Sequence, residues 1–168
     1  MLRRTMVLGM AAAGALSACG VRRPPDAGAS RPGFYRITPE EEPLIPVRLL
    51  ESVNSLRAAA GAPPVTLDAQ LAAAAATHSR DMSVQNRPWH FGSDGSSPVD
   101  RLARVGYPGG LVGEVISESY EPELVTLAAW MEEPDARDVI LSPAARRAGV
   151  GWFQEPEGKL WWTMVLGT

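Results

Sequence analysis

Two periods of apolar residues run through this chain. Between residues 44 and 60, Leu49, Val53, Leu56 and Ala60 stand at i, i+4, i+7 and i+11, which is one stripe of a helix. Gly61 and Pro63-Pro64 end it. A second helix is predicted over 69–86. Asp68 stands at its N-cap, where a carboxylate can accept from the first free amides. Leu71, Ala75, His78 and Met82 make its inward stripe, and its alanines allow close packing. A Gly- and Ser-containing loop follows at 87–97. Ser97, Pro98 and Asp100 then form the start of a short helix, with a capping box and proline in the first turn. Tyr107-Pro108-Gly109-Gly110 reads as a turn. Residues 111–119 alternate as a strand, which aligns Glu114 with Val112 and Ile116. Glu121-Pro122 opens another helix with Leu124, Leu127, Ala128 and Met131 as its stripe, and Pro134 starts a short one reaching Leu141. Residues 148–153 and 160–167 read as a hairpin across Glu155-Pro156-Glu157-Gly158.

Hairpin strands are antiparallel. The last one carries Leu160, Trp162, Met164 and Leu166 on one face and Trp161, Thr163 and Val165 on the other, so the sheet must be covered on both sides. The expected class is α+β: a three-layer α/β/α sandwich with a small, mainly antiparallel sheet. Trp130, Trp152 and Trp162 are expected in the core. Trp89 and Trp161 could line a cleft or an apolar patch, with core the preferred reading for each.

The N-terminal segment differs in character. Residues 1–18 hold Arg3 and Arg4, then a short apolar run from Met6 to Leu16. A membrane-spanning helix needs about 20 apolar residues, so this run reads as a cleaved export signal. Its ending, Leu16-Ser17-Ala18-Cys19, resembles the bacterial lipobox, which implies cleavage before Cys19 and lipid on that thiol. Residues 19–42, rich in Pro, Gly, Ala and Arg, read as a lipidated flexible tether, and 43–168 as the domain. Phe34, Tyr35 and Ile37 either dock on that domain or stay loosely ordered. The membrane is then a partner through the lipid anchor. The expected location is the cell envelope, with the periplasmic face of the outer membrane preferred over the inner membrane because Gly20, not Asp, follows the cysteine.

Charge and cysteine content narrow the classes further. The chain of 168 residues has 16 basic and 19 acidic side chains, a net charge of −3. Without Arg3 and Arg4 the basic count falls from 16 to 14 against the same 19 acids, a net of −5. That balance argues against nucleic acid as a partner, which needs a basic face. A single cysteine allows no internal disulfide. Packing must suffice, and a domain of roughly 120–150 residues buries about two-thirds of its unfolded surface.

Several motifs fall in order along the domain: Val53-Asn54-Ser55-Leu56-Arg57, Pro64-Val65-Thr66-Leu67-Asp68, His78-Ser79-Arg80-Asp81-Met82, Trp89-His90-Phe91, Gly106-Tyr107, Gly113-Glu114, Trp130-Met131, Pro134-Asp135-Ala136-Arg137 and Ala148-Gly149-Val150-Gly151. Together, from Leu49 to Gly167, they resemble the CAP superfamily of cysteine-rich secretory, antigen 5 and pathogenesis-related proteins, in its bacterial, disulfide-free form. The resemblance implies an α/β/α sandwich and a surface cleft that holds two histidines and two acids. His90 takes the first histidine position, Glu114 the first acid and Glu133 the second. Ala136 stands where the second histidine is expected, with Asp135 beside it.

Imidazole and carboxylate can hold zinc or a polarised water, but an alanine can do neither. No cofactor is therefore expected. A divalent metal on His90 and Glu114 is the alternative. Apart from the resemblance, His90 could be a loop residue packed on Trp89, Glu114 the partner of an arginine such as Arg137, and Glu133 part of a solvated helix end. His78 reads as a hydrogen-bonded core histidine. There is no G-x-S-x-G elbow, and Ser117 and Ser119 have only His90 as a base. The preferred function is a non-catalytic binding module for a lipid, peptide or cell-wall ligand. The alternatives are a hydrolase using His90 and Glu114, and a scaffold for another envelope protein.

Overall fold

The computed structural model describes residues 34–168. In chain order the elements are α1 (Ile45–Ala59), β1 (Thr66–Leu67), α2 (Ala69–Gln85), α3 (Pro98–Arg104), β2 (Leu111–Ser119), α4 (Glu123–Glu132), α5 (Pro134–Leu141), β3 (Arg147–Gln154) and β4 (Leu160–Gly167). The sheet order is β1-β3-β4-β2. The β3–β4 and β4–β2 pairs are antiparallel, and only the two-residue β1 pairs in parallel, with Arg147 and Ala148. The expected sandwich is observed. One side of β4 (Leu160, Trp162, Met164, Leu166) packs with α1, α4 and α5, and Val165 on the other packs with α2 and α3. Trp161 and Trp162 are both fully buried.

The local signals account for most helix starts. The Asp68 carboxylate accepts from Gln70 N–H and Leu71 N–H. Ser97 and Asp100 form the capping box. Helix α2 lies directly on β3 because Gly149 and Gly151 carry no side chain: a Cβ there would strike the α2 backbone at Leu71–Ala72 and Ala75–Ala76.

Two helices are rotated from the faces expected from the sequence. The inward face of α1 is Ile45, Leu49, Val53 and Arg57, with Leu56 half-buried and Ala60 exposed beyond the helix end. A guanidinium takes the last core position because backbone carbonyls surround it. Arg57 donates to Pro63 O, Ile140 O, Ser142 O and Ala145 O. In α4 the inward residues are Glu123, Thr126, Leu127 and Trp130, while Leu124 and Ala128 are exposed. Trp130 Nε1 donates to Ile116 O at 2.9 Å and Arg48 Nε donates to Glu123 at 2.7 Å. These two polar anchors set the rotation of α4.

Strand β2 departs from simple alternation. Its register with β4 shifts between Leu111 and Gly113. This bulge turns Val112 to the side of Val115 and α5, leaving Glu114 on the same face as Ile116 only.

Residues 34–43 lie against the domain. The Gln154 side-chain amide donates to Tyr35 O and accepts from Ile37 N–H, at 2.8 and 3.1 Å. The Phe34 ring sits 5.2 Å from that of Tyr120, and Ile37 joins the core beneath α1. Of the two readings of Phe34, Tyr35 and Ile37, docking is the one observed. Among the described residues no helix is long and apolar enough to cross a membrane. The leader and Cys19 lie outside the described residues.

Candidate functional site

Glu114 projects from the middle of β2 into a polar junction between α2, α3 and the loop after α2. Its side chain is 2% exposed. Arg101, on α3, donates from Nη2 to both carboxylate oxygens at 2.8 and 2.7 Å, and from Nη1 to His90 O and Ser96 O. One guanidinium thus fixes the carboxylate and the backbone of the loop that carries His90. The arginine partner expected at Arg137 is instead Arg101. Arg137 reaches the Met131 carbonyl.

His90 completes the junction from the solvent side. Its Nδ1 lies 2.9 Å from Glu114 Oε1, and its side chain is half-exposed. An ionised carboxylate only accepts, so Nδ1–H donates, and in the neutral ring the lone pair is then on Nε2. Burial acts to raise the Glu114 pKa. The His90 hydrogen bond and the charges of His78 and Arg101 outweigh it and hold the carboxyl below its usual range. The His78 contribution exists only when that imidazole is protonated.

His78 approaches Glu114 from α2 and is fully buried, as its place on the inward stripe implies. Nε2 sits 2.9 Å from Trp89 O, so Nε2–H donates there, and Glu114 Oε1 at 3.7 Å is beyond hydrogen-bond reach. Nδ1 is buried without a partner. Burial is the main cause lowering the His78 pKa, so the imidazole is neutral near pH 7.

A surface cleft of about 320 Å³ opens over this junction. His90, Glu114, Glu133, Asp135 and Ala136 all line it, with Val115 and Val139 among its apolar walls. Every position assigned to the cleft by resemblance therefore faces one hollow, including the alanine in place of a histidine. Glu133 and Asp135 are exposed where α4 meets α5. Neither Ser117 nor Ser119 lines the cleft.

The donors do not fit a metal ion. Both oxygens of Glu114 face Arg101, the second histidine position is Ala136, and no group of three His, Cys, Asp or Glu side chains with suitable spacing occurs among the described residues. What remains is an imidazole fixed in one tautomer above a locked carboxylate.

Sequence reasoning missed Arg101 and the closeness of His78 to Glu114. The available signal was the position of Arg101 four residues after Ser97, within the helix that Ser97 caps. It places a long cation on the turn above the loop, but its target lies on a strand that periodicity alone does not align with α3.

Comparison with known proteins bears on the fold that carries this site. The chain superposes on an outer surface protein from Borrelia burgdorferi with a TM-score of 0.69 at 16% identity, covering 80% of this chain and 98% of that one. An extracellular protein containing an SCP domain from Bacillus anthracis gives 0.68 at 22% identity, and a cysteine-rich secretory protein from Staphylococcus aureus gives 0.62 at 15%. Each of those two matches again covers 80% of this chain, but only 45% and 42% of the respective proteins, so the chain spans less than half their length. At these identities the likeness shows the fold. No curated protein matches the chain in sequence. The sequence profile of the Cysteine-rich secretory protein family, CAP, matches residues 50–166, and the chain belongs to that family.

Proposed function

We propose that this chain is an extracytoplasmic CAP-domain lipoprotein, anchored through Cys19, that acts as a non-catalytic binding module through the cleft over Glu114. One observation carries the non-catalytic reading: Arg101 holds both oxygens of Glu114 while Ala136 stands at the second histidine position. A carboxylate so committed can orient His90 but cannot itself accept a proton or bind an ion, and Ala136 removes the second imidazole that could share the work. The His90 Nε2 lone pair, two rim acids and an apolar floor suit a ligand that carries N–H or O–H donors on an apolar body. Among lipid, peptide and cell-wall ligands, this favours a peptide or the peptide part of cell-wall material. The names of the Borrelia and Bacillus proteins, an outer surface and an extracellular protein, support a location outside the cytoplasm.

The test compares the wild type with His90→Ala. We expect no stoichiometric metal by elemental analysis and no turnover of peptide or lipid ester substrates by either protein. Binding of soluble cell-wall peptide fragments should weaken in His90→Ala while its circular dichroism spectrum stays that of the folded wild type. His90-dependent turnover would establish the hydrolase reading instead, which rests on the same His90–Glu114 pair. For the anchor, labelled palmitate should enter the wild type and not Cys19→Ser, and the variant should leave the membrane fraction.

A further inference from the structure

The geometry points to a second binding site, independent of the cleft: the outer edge of β3, which takes an extended, basic peptide as an added strand. β1 covers this edge over two residues only. Asp68 N–H donates to Ala148 O at 2.9 Å, which sets the phase of β3. Ala148, Val150 and Trp152 turn their N–H and C=O groups outward, and Gly149, Gly151 and Phe153 turn theirs toward β4. Among the described residues, no backbone group pairs with the outward groups of Val150 and Trp152.

Val150 is only 5% exposed and Trp152 is half-buried, but their outer edge gives onto a groove. The groove, of about 570 Å³, is walled by Ala72 and Ala76 of α2 on one side and by Pro43 and Pro46 on the other. The wall residues are small or lack a backbone N–H, so a strand can approach and they do not compete for its hydrogen bonds. An unpaired edge is normally blunted by a lysine, a bulge or a covering loop, and neither Val150 nor Trp152 is charged.

The occupant follows from what bounds the edge. At one end β1 already pairs in extended form. At the other, the Gln154 amide binds Tyr35 O and Ile37 N–H, as a neighbouring strand would. Between them the site offers two N–H and two C=O groups, enough for a segment of four or five residues. A single extended chain fits between the walls, whereas a second copy would bring its own α2 and prolines against these. Glu42 is the one charged residue among those lining the groove, so the matching peptide is basic. This is strand addition, in which main-chain bonds supply affinity and charge supplies selection.

The test uses the full chain and the peptide acetyl-Lys-Val-Thr-Val-Lys-amide, followed by amide NMR. In the free protein, Val150 and Trp152 N–H should exchange with solvent at least about tenfold faster than Gly149 and Gly151. Adding the peptide should shift and protect those two amides. The same peptide N-methylated at its Val and Thr amides should do neither. Ala76→Arg, at an exposed position on the groove wall, should keep the thermal midpoint and lose the response. The proposal is overturned if Val150 and Trp152 are already as protected as their neighbours, if the peptide shifts only other amides, if the N-methylated peptide acts equally, or if the edge is filled by a second copy in a concentration-dependent dimer.

Discussion

Arg101 grips Glu114 with one nitrogen on both carboxylate oxygens, and both side chains are at least nine-tenths buried. Removing one partner leaves a charge with no water to solvate it, at a cost of about 3–5 kcal/mol. Arg101→Met should therefore lower urea-unfolding stability by that order. Glu114→Gln placed in the Arg101→Met background should recover part of the loss, because no unpaired charge then remains. A double variant less stable than Arg101→Met alone would contradict this account.

Acid should weaken the fold in two stages. The pKa of His78 is lowered from its ordinary 6.5 chiefly by burial, and that of Glu114 from 4.5 by its partners, against burial. In both cases the folded state holds fewer protons than the unfolded chain. Stability from each group is full above the unfolded value and falls with pH through the folded value. The first loss begins below pH 6.5 and belongs to His78, and the second begins below 4.5, where Glu114 is joined by Asp94 and Asp100, whose carboxyls are also held below their ordinary value by hydrogen bonds from Ser96 and Ser97. His78→Gln keeps a donor for Trp89 O and cannot titrate. Its urea midpoint should stay level between pH 7 and 5, where the wild type declines.

The buried guanidinium of Arg57 has four backbone carbonyls for partners, on the α1–β1 connection, at the end of α5 and just beyond it. Each is a charge-assisted bond that a shorter or single-headed cation cannot reproduce as a set. Arg57→Lys should cost about 2–4 kcal/mol in chemical denaturation, and Arg57→Ala more. A lysine variant within about 0.5 kcal/mol of the wild type would show that the carbonyl cage matters little.

Gly151→Ala tests the contact between α2 and β3. The added methyl would meet the backbone of Ala75 and Ala76, which cannot rotate aside. Overpacking against rigid atoms costs about 1–3 kcal/mol or more, read as a lower thermal midpoint. Ala76→Ser, exposed on the same helix, should change it little.

Most elements were legible because their signals are local. Asp68, Ser97 and Pro134 mark helix starts within three residues of themselves, and the doubly apolar β4 requires two covering layers. The rotations of α1 and α4 were not legible. They are set by Arg57 and Glu123, whose partners, Pro63 apart, lie more than seventy residues away and make charged side chains acceptable on an inward face. The bulge at Val112 was hidden for the same reason: a one-residue shift is fixed by pairing with β4, and the sequence of β2 alternates well enough without it. At the site, motif order placed His90, Glu114 and Glu133 around one hollow. The bond that fixes its chemistry comes from Arg101, whose helix carries no sign of its target.

The clasp on Gln154 also decides how load enters the domain. Arg36 donates to the carbonyls of Glu155 and Pro156, so the segment ahead of α1 is riveted to the β3–β4 hairpin at several points. Tension applied to the chain before Phe34 is borne first by that hairpin and reaches α1 only after those bonds part. The packed interior is thereby insulated from a pull on the N-terminal side.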